Sequence, residues 1–221
     1  QDYWHNMKKS ILIIVVLLSS TVLAQVPAEI FAGDKKATLD VLFFKPFRDS
    51  EGKNTSWVLF NREKVTLDYK MTPDDNKPFF VAMQAISYSP AVLGGFGPVA
   101  VSLITNDGMY PKLGFQYVHA KGDFMFFGWL IGETLKDPDV DLYLYAKYTP
   151  LISGNTRLFA QIETNTAFPA YTGGEPSLFQ CLRLGLMFDG FQAGLGLDLT
   201  QKGKDQLKTT ENTGVFIRYE F

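Results

Sequence analysis

Residues 181–200 read CLRLGLMFDGFQAGLGLDLT, and their alternation decides how the chain folds. Leu182, Leu184, Leu186 and Phe188 share one parity, while Cys181, Arg183, Gly185 and Met187 share the other. After Asp189-Gly190 the pattern resumes, with Phe191, Ala193, Leu195, Leu197 and Leu199 opposite Gln192, Gly194, Gly196, Asp198 and Thr200. A period of two is the signature of a strand, and Asp-Gly between two such runs predicts a two-residue type I′ hairpin. One face is wholly apolar; the other carries charge, amide and glycine. The same rhythm recurs at Val140, Leu142, Leu144, Ala146 and Tyr148, at Val65, Leu67 and Tyr69, and at Val215, Ile217, Tyr219 and Phe221. No window after the first 24 residues shows apolar residues at helical spacing, so the chain is expected to be all-β.

The first 24 residues read differently. Met7-Lys8-Lys9 is followed by the apolar run Ile11–Leu18 and then by Val22-Leu23-Ala24, the charged, apolar and small-residue regions of a secretory signal peptide. The run is shorter than the roughly 18 residues of a spanning helix, and Gln1–Asn6 read as upstream sequence. Cleavage after Ala24 leaves 197 of 221 residues and, by removing Asp2, Lys8 and Lys9, moves the net charge from −2 to −3. That balance argues against a nucleic-acid partner, which demands a basic excess. Aromatic residues at 14% with only 20% charged residues are too apolar a mixture for a disordered chain. The single cysteine, Cys181, cannot close an internal disulfide, so an exported fold must be held together by other means.

An apolar face that continues from strand to strand, opposite a polar one, implies two solvents. A soluble exported β-sandwich or a lipocalin-like barrel also alternates, with the apolar face as its core. Connection length separates the readings: tight turns such as Asp189-Gly190 and Lys121-Gly122-Asp123 alternate with long polar segments such as 165–176 and 202–212, the asymmetry of a transmembrane β-barrel. Strand candidates lie near 37–46, 55–70, 78–88, 97–105, 111–119, 123–133, 140–149, 156–165, 178–188, 190–200 and 213–221. That count is odd, and a closed antiparallel barrel needs an even one. Segment 55–70 also exceeds the roughly 9 to 11 residues of a tilted spanning strand. A turn at Asn61-Arg62-Glu63 therefore splits it, giving about 12 strands, with 10 as the alternative, and puts every tight turn on one side. The expectation is a closed antiparallel up-and-down barrel over residues 37–221, preceded by a short periplasmic segment over 25–36. The segments Phe79–Met83 and Phe124–Trp129 are apolar on both parities; each faces either a plugged interior or an interfacial girdle.

The final strand, Gly214-Val215-Phe216-Ile217-Arg218-Tyr219-Glu220-Phe221, resembles the closing strand of bacterial outer-membrane β-barrel proteins, which end in phenylalanine with a second aromatic two residues earlier. Phe221 and Tyr219 match that pattern. The chain is also similar in rhythm to small uncharacterised barrels of Bacteroidota-type bacteria. The resemblance implies a Gram-negative outer-membrane location, contact with outer-membrane lipid, and recognition of Tyr219 and Phe221 by the barrel-assembly machinery.

The lumen face then offers the candidate site residues. Asp68, Lys147, Glu163, Arg183, Asp198, Arg218 and Glu220 carry both signs of charge and are accompanied by Lys64, Lys70, Asp141, Arg157, Gln116, Gln161 and Gln192. Such a face selects small polar solutes at a constriction, making the protein a porin-like channel with a transport role. The same residues can pair with one another and plug the barrel, leaving a structural or partner-binding role. Enzymatic activity is not expected. A barrel-embedded lipid hydrolase would depend on His119, which shares the parity of the apolar Leu113, Phe115 and Tyr117 and has no triad partner nearby in sequence. Asp137-Pro138-Asp139-Val140-Asp141 opens like a calcium loop, but Leu142 and Tyr148 stand where the turn glycine and bidentate glutamate belong, so no metal site and no cofactor are expected. Cys181 reads as a small filler in the lumen wall, and Asn54-Thr55-Ser56 is a sequon without bearing on a bacterial chain.

Overall fold

The computed structural model describes residues 26–70, 78–133, 135, 138–171, 173–204 and 206–220. The signal-peptide reading of residues 1–24, Asp137 and the terminal Phe221 lie outside the described residues. Thirteen strands follow in order: β1 (Pro27–Gly33), β2 (Lys36–Arg48), β3 (Asn54–Asp68), β4 (Phe79–Tyr88), β5 (Phe96–Thr105), β6 (Gly108–Lys121), β7 (Phe124–Glu133), β8 (Asp139–Tyr148), β9 (Leu151–Ser153), β10 (Thr156–Pro169), β11 (Ser177–Phe188), β12 (Phe191–Lys202) and β13 (Lys208–Glu220). Among the described residues, a single 3-10 turn, Ala91–Leu93, interrupts the succession. Every pairing between neighbours is antiparallel, and β1 pairs with β13 from Pro27↔Glu220 to Gly33↔Gly214, which closes the sheet. The short β9 pairs only with β10, so twelve strands form the barrel wall. Closure leaves no unpaired sheet edge, the condition for a sheet to cross a membrane.

The strand number agrees with the sequence expectation, but two of its assignments do not. Asn54–Asp68 is one continuous strand: Asn61, Arg62 and Glu63 pair with Phe43, Leu42 and Val41 on one side and with Gln84, Met83 and Ala82 on the other. There is no turn at that position. The twelfth strand is instead β1, inside the segment 25–36 expected to lie outside the barrel. Its sequence PAEIFAG alternates as any other strand does, with Glu29 and Phe31 buried and Ile30 exposed. Two errors of opposite sign therefore cancelled in the count.

The rim that carries Pro27 and Glu220 is the terminal rim, and the opposite one is the far rim. Two-residue connections occur on both: Gly122-Asp123 and Asp189-Gly190 at the terminal rim, Asp34-Lys35 and Asn106-Asp107 at the far rim. The expected separation of all tight turns to one side does not hold. The Asp189-Gly190 expectation does, with φ of 44° and 81°, the left-handed pair that a type I′ turn needs.

Outward-facing residues form an apolar belt. Leu184, Leu195, Leu113 and Phe115 are 59%, 67%, 71% and 70% exposed. Near the terminal rim the belt ends in Trp57, Tyr88, Phe96, Tyr117, Phe124, Tyr148, Phe188, Phe191 and Tyr219, an aromatic girdle of the kind that sits at a membrane interface. A soluble sandwich would bury these side chains, so the sandwich and lipocalin-like alternatives are set aside. The two ambiguous segments also resolve. Met125, Phe127, Trp129 and Ile131 point inward while Phe124, Phe126 and Leu130 face out; Phe79, Val81 and Met83 line the interior and Phe80 lies outside.

Candidate functional site

The interior is built from the inward parity of each strand, and register decides which charges meet. Glu29 of β1 stands directly opposite Arg218 of β13, whose Nε donates to Glu29 Oε2 at 3.0 Å. Arg183 of β11 reaches over Gly196 to the same carboxylate, with Nε to Oε1 at 2.8 Å, while its Nη1 donates to Asp198 at 2.7 Å. A Cβ at position 196 would lie 2.8 Å from the Phe31 ring and 3.0 Å from the Arg183 side chain, so glycine there lets the arginine lie flat across the wall. Arg218 also donates to Gln161 at 2.7 Å, and Gln161 accepts from the Tyr145 hydroxyl at 3.3 Å. The guanidinium of Arg183 sits 4.0 Å from the Phe31 ring centroid and that of Arg218 4.9 Å from Phe159, so each planar cation is covered by an aromatic face.

One ion pair crosses the lumen. Arg62 on β3 donates through Nε to Asp40 at 3.1 Å and through Nη1 to Glu163 on β10. Those two strands lie six positions apart in a ring of twelve, so the bridge spans the barrel from one wall to the opposite one. Glu163 is 1% exposed. Beside this bridge the waist is filled by rings that also reach across: Phe44 lies 4.8 Å from Phe127, and Phe60 lies 5.0 Å from Trp129 and 5.8 Å from Phe127.

Above and below the waist the interior is open. A cavity of about 300 Å³ opens toward the terminal rim between Glu29, Asp40, Lys147, Gln161, Glu163 and Glu220. A second, of about 470 Å³, opens toward the far rim, with Lys36, Arg62, Lys64, Asp141, Glu163 and Asp198 on one side and Phe79, Val81, Met83, Leu103 and Phe179 among its apolar lining. Glu163 borders both, so at that point the two cavities are separated by a single layer of side chains.

Of the residues expected on the lumen face, Glu163, Arg183, Asp198 and Arg218 belong to this buried network. Lys147 and Glu220 form a looser pair at 3.8 Å near the terminal rim, where Glu220 also accepts from Gln192 at 2.9 Å. Asp68 lies at the far rim, half-exposed and 3.6 Å from Lys36. Arg157 holds the terminal-rim connections through Thr149 O at 2.8 Å and the Asp123 carboxylate. Three central members were not anticipated: Glu29, because its segment was placed outside the barrel; Arg62, because it was placed in a turn; and Asp40, inside an assigned strand. The alternation of Glu29 and Phe31 with Ala28, Ile30 and Ala32 was the available signal for the first.

The remaining candidates settle into structural roles. Asp139 and Asp141 both accept from Lys112 Nζ, at 2.7 and 2.6 Å, so this acidic run serves a buried lysine. His119 is exposed on the outer face near the terminal rim, on the opposite side of the wall from the lumen carboxylates. Cys181 is buried in the lumen wall between Glu163 and Asp198 in register.

A closed antiparallel sheet with an apolar, girdled exterior and a polar interior defines an outer-membrane β-barrel, the class to which this chain belongs. Among solved structures it is similar to the KdgM porin, at 11% identity and a TM-score of 0.47 over 89% of this chain and 99% of that one. It is also similar to OmpT, an outer-membrane protein of Vibrio cholerae, at 11% identity and a TM-score of 0.38 over 90% and 98% of the two chains. The β-domain of the Bordetella autotransporter BrkA follows at 11% identity and a TM-score of 0.37 over 90% and 100%. Likeness this loose assigns neither substrate nor activity, and the class rests on the geometry. No protein-family model and no curated protein sequence matches the chain.

Proposed function

We propose that the protein is a narrow outer-membrane channel for small polar solutes, closed at its waist by the Arg62–Glu163 bridge. The observation that carries this reading is that the two polar cavities approach Glu163 from opposite sides, leaving one side-chain layer between them. In this arrangement the terminal rim faces the periplasm, the belt meets outer-membrane lipid, and the barrel-assembly machinery reads the closing strand at Tyr219 and Phe221. A septum made of charges can exchange its partners for water when it parts, whereas a septum of hydrocarbon cannot.

Single-channel conductance in planar bilayers tests the reading. The wild type is expected to conduct weakly, and Arg62→Ala/Glu163→Ala to conduct several-fold more, because the double substitution joins the two cavities. If neither protein conducts and the variant loses only stability, the barrel is plugged and its role is structural or partner-binding.

A further inference from the structure

At one place, on β3 and β4, the outer belt carries a carboxylate together with two amides. Asn61 and Glu63 on β3 point outward, and Gln84 on β4 and Ser102 on β5 follow them around the wall in register, Asn61↔Gln84↔Ser102. Their depth can be read from the chain itself. On β3 the belt runs outward from Trp57 to Leu67 and Tyr69, and on β4 from Tyr88 to Phe80, so Asn61, Glu63 and Gln84 lie midway between the two edges. Trp57 and Tyr88 themselves stack at 4.9 Å, which fixes the terminal-side edge at both strands together. Glu63 and Gln84 are exposed, and among the described residues none provides a hydrogen-bond partner for the side chains of Asn61, Glu63 or Gln84. Around them the surface is low, with Ala82, Ala100 and Pro111 where other strands carry leucine or phenylalanine. Across the barrel, Ile162, Leu184 and Leu195 hold the outer face of β10–β12, where Thr164 and Gln180, paired in register, are neutral polar residues.

A carboxylate and two amides at mid-depth in hydrocarbon are unfavourable unless something at the same depth hydrogen-bonds to them. Lipid headgroups lie at the edges of the belt and cannot reach them. We infer that this patch is the interface between two copies of the chain, related by a two-fold axis along the membrane normal. Such an axis keeps each group at its own depth, so every mid-depth polar group meets another. An axis passing through β4 brings Gln84 against Gln84 of the second copy, where each amide donates and accepts. It also brings β3 against the partner's β5, so that the Ser102 hydroxyl donates to the Glu63 carboxylate. Small side chains let the two walls approach closely enough for these bonds to form. The patch is compact and matches itself, which favours a two-fold dimer over a ring built from two different surfaces.

The inference is independent of whether the lumen conducts. It is tested by oxidative cross-linking of the full chain in membranes, comparing Gln84→Cys at the proposed axis, where the residue meets its own copy, with Leu184→Cys on the opposite wall; the native Cys181 is buried. Gln84→Cys is expected to give a species of twice the chain mass, and Leu184→Cys none. In detergent, Glu63→Leu/Gln84→Leu should weaken the dimer at least tenfold while leaving heat-modifiable migration and conductance unchanged. A chain that is monomeric in membranes and detergent, an equal cross-link from Leu184→Cys, a cross-link from Gln84→Cys to a protein of another mass, or an unimpaired dimer in the leucine variant would each overturn it.

Discussion

The two halves of the lumen wall close the same space by different chemistry. On β3–β8 the buried apolar side chains Phe60, Ala85, Val99, Val101, Phe127, Trp129, Ile131, Tyr143 and Tyr145 form a hydrophobic core against one wall of the barrel, with Arg62, Lys112, Gln116, Glu133 and Asp141 buried around it. On β10–β13 and β1–β2 the inward side chains near the waist are mainly ionic or polar, Glu29, Asp40, Gln161, Glu163, Arg183, Asp198 and Arg218, with the Phe31–Phe159–Phe216 cluster beneath them. The aromatic half is held by non-directional packing and tolerates exchange of one apolar side chain for another of similar volume. In the ionic half each charge is buried with few partners, so the loss of one leaves another uncompensated in a low dielectric. Rigidity is therefore expected on the aromatic side, and in the proposed channel the pathway for water or solute runs along the ionic side.

Three measurements can break or sharpen that contrast. Arg183→Ala strips both Glu29 and Asp198 of a partner and should cost about 3–5 kcal/mol, the range for orphaning a buried charge; it would appear as a lowered urea midpoint in detergent micelles. A loss below about 1 kcal/mol, the range of an exposed ion pair, would mean that the ionic wall is already hydrated. Gly196→Ala comes next. Its methyl group would press on Phe31 and the Arg183 side chain, and the over-packing should cost about 1–3 kcal/mol, read from the temperature at which the folded band disappears on a gel. Smallest is Phe127→Leu on the aromatic wall, expected to cost less than about 1.5 kcal/mol and to leave single-channel conductance at the wild-type level. A change in conductance from that substitution would place the pathway against the aromatic wall and erase the distinction.

How far the sequence could be read depended on what sets each feature. The β11–β12 hairpin was legible in full because alternation, a type I′ turn and a belt-facing leucine row all depend on nearest neighbours. The triplet Asn61-Arg62-Glu63 was misread for a physical reason: three polar residues in a long apolar segment look like a turn. Here the middle one points into the lumen toward a carboxylate on the opposite wall, while the outer two lie on the outer face without a partner among the described residues. β1 was missed because its alternation runs over only seven residues, too few to stand apart from a loop, and pairing with β13 at the other end of the chain makes it a wall strand. Among the expected lumen residues, parity correctly placed Glu163, Arg183, Asp198 and Arg218 inside, yet could not separate them from Asp68 or Arg157 at the rims, since parity carries no information about height along the barrel.

The sequence by itself determined the strand period, the two chemically distinct faces, the tight hairpin at Asp189-Gly190 and the near-neutral charge, because each follows from local geometry or from composition. The tertiary structure decided which strand closes the barrel, which charges meet across the lumen and which polar residues face lipid. Those outcomes depend on the register and curvature of a closed sheet, where Arg62 and Glu163 become neighbours only because twelve strands bring opposite walls together.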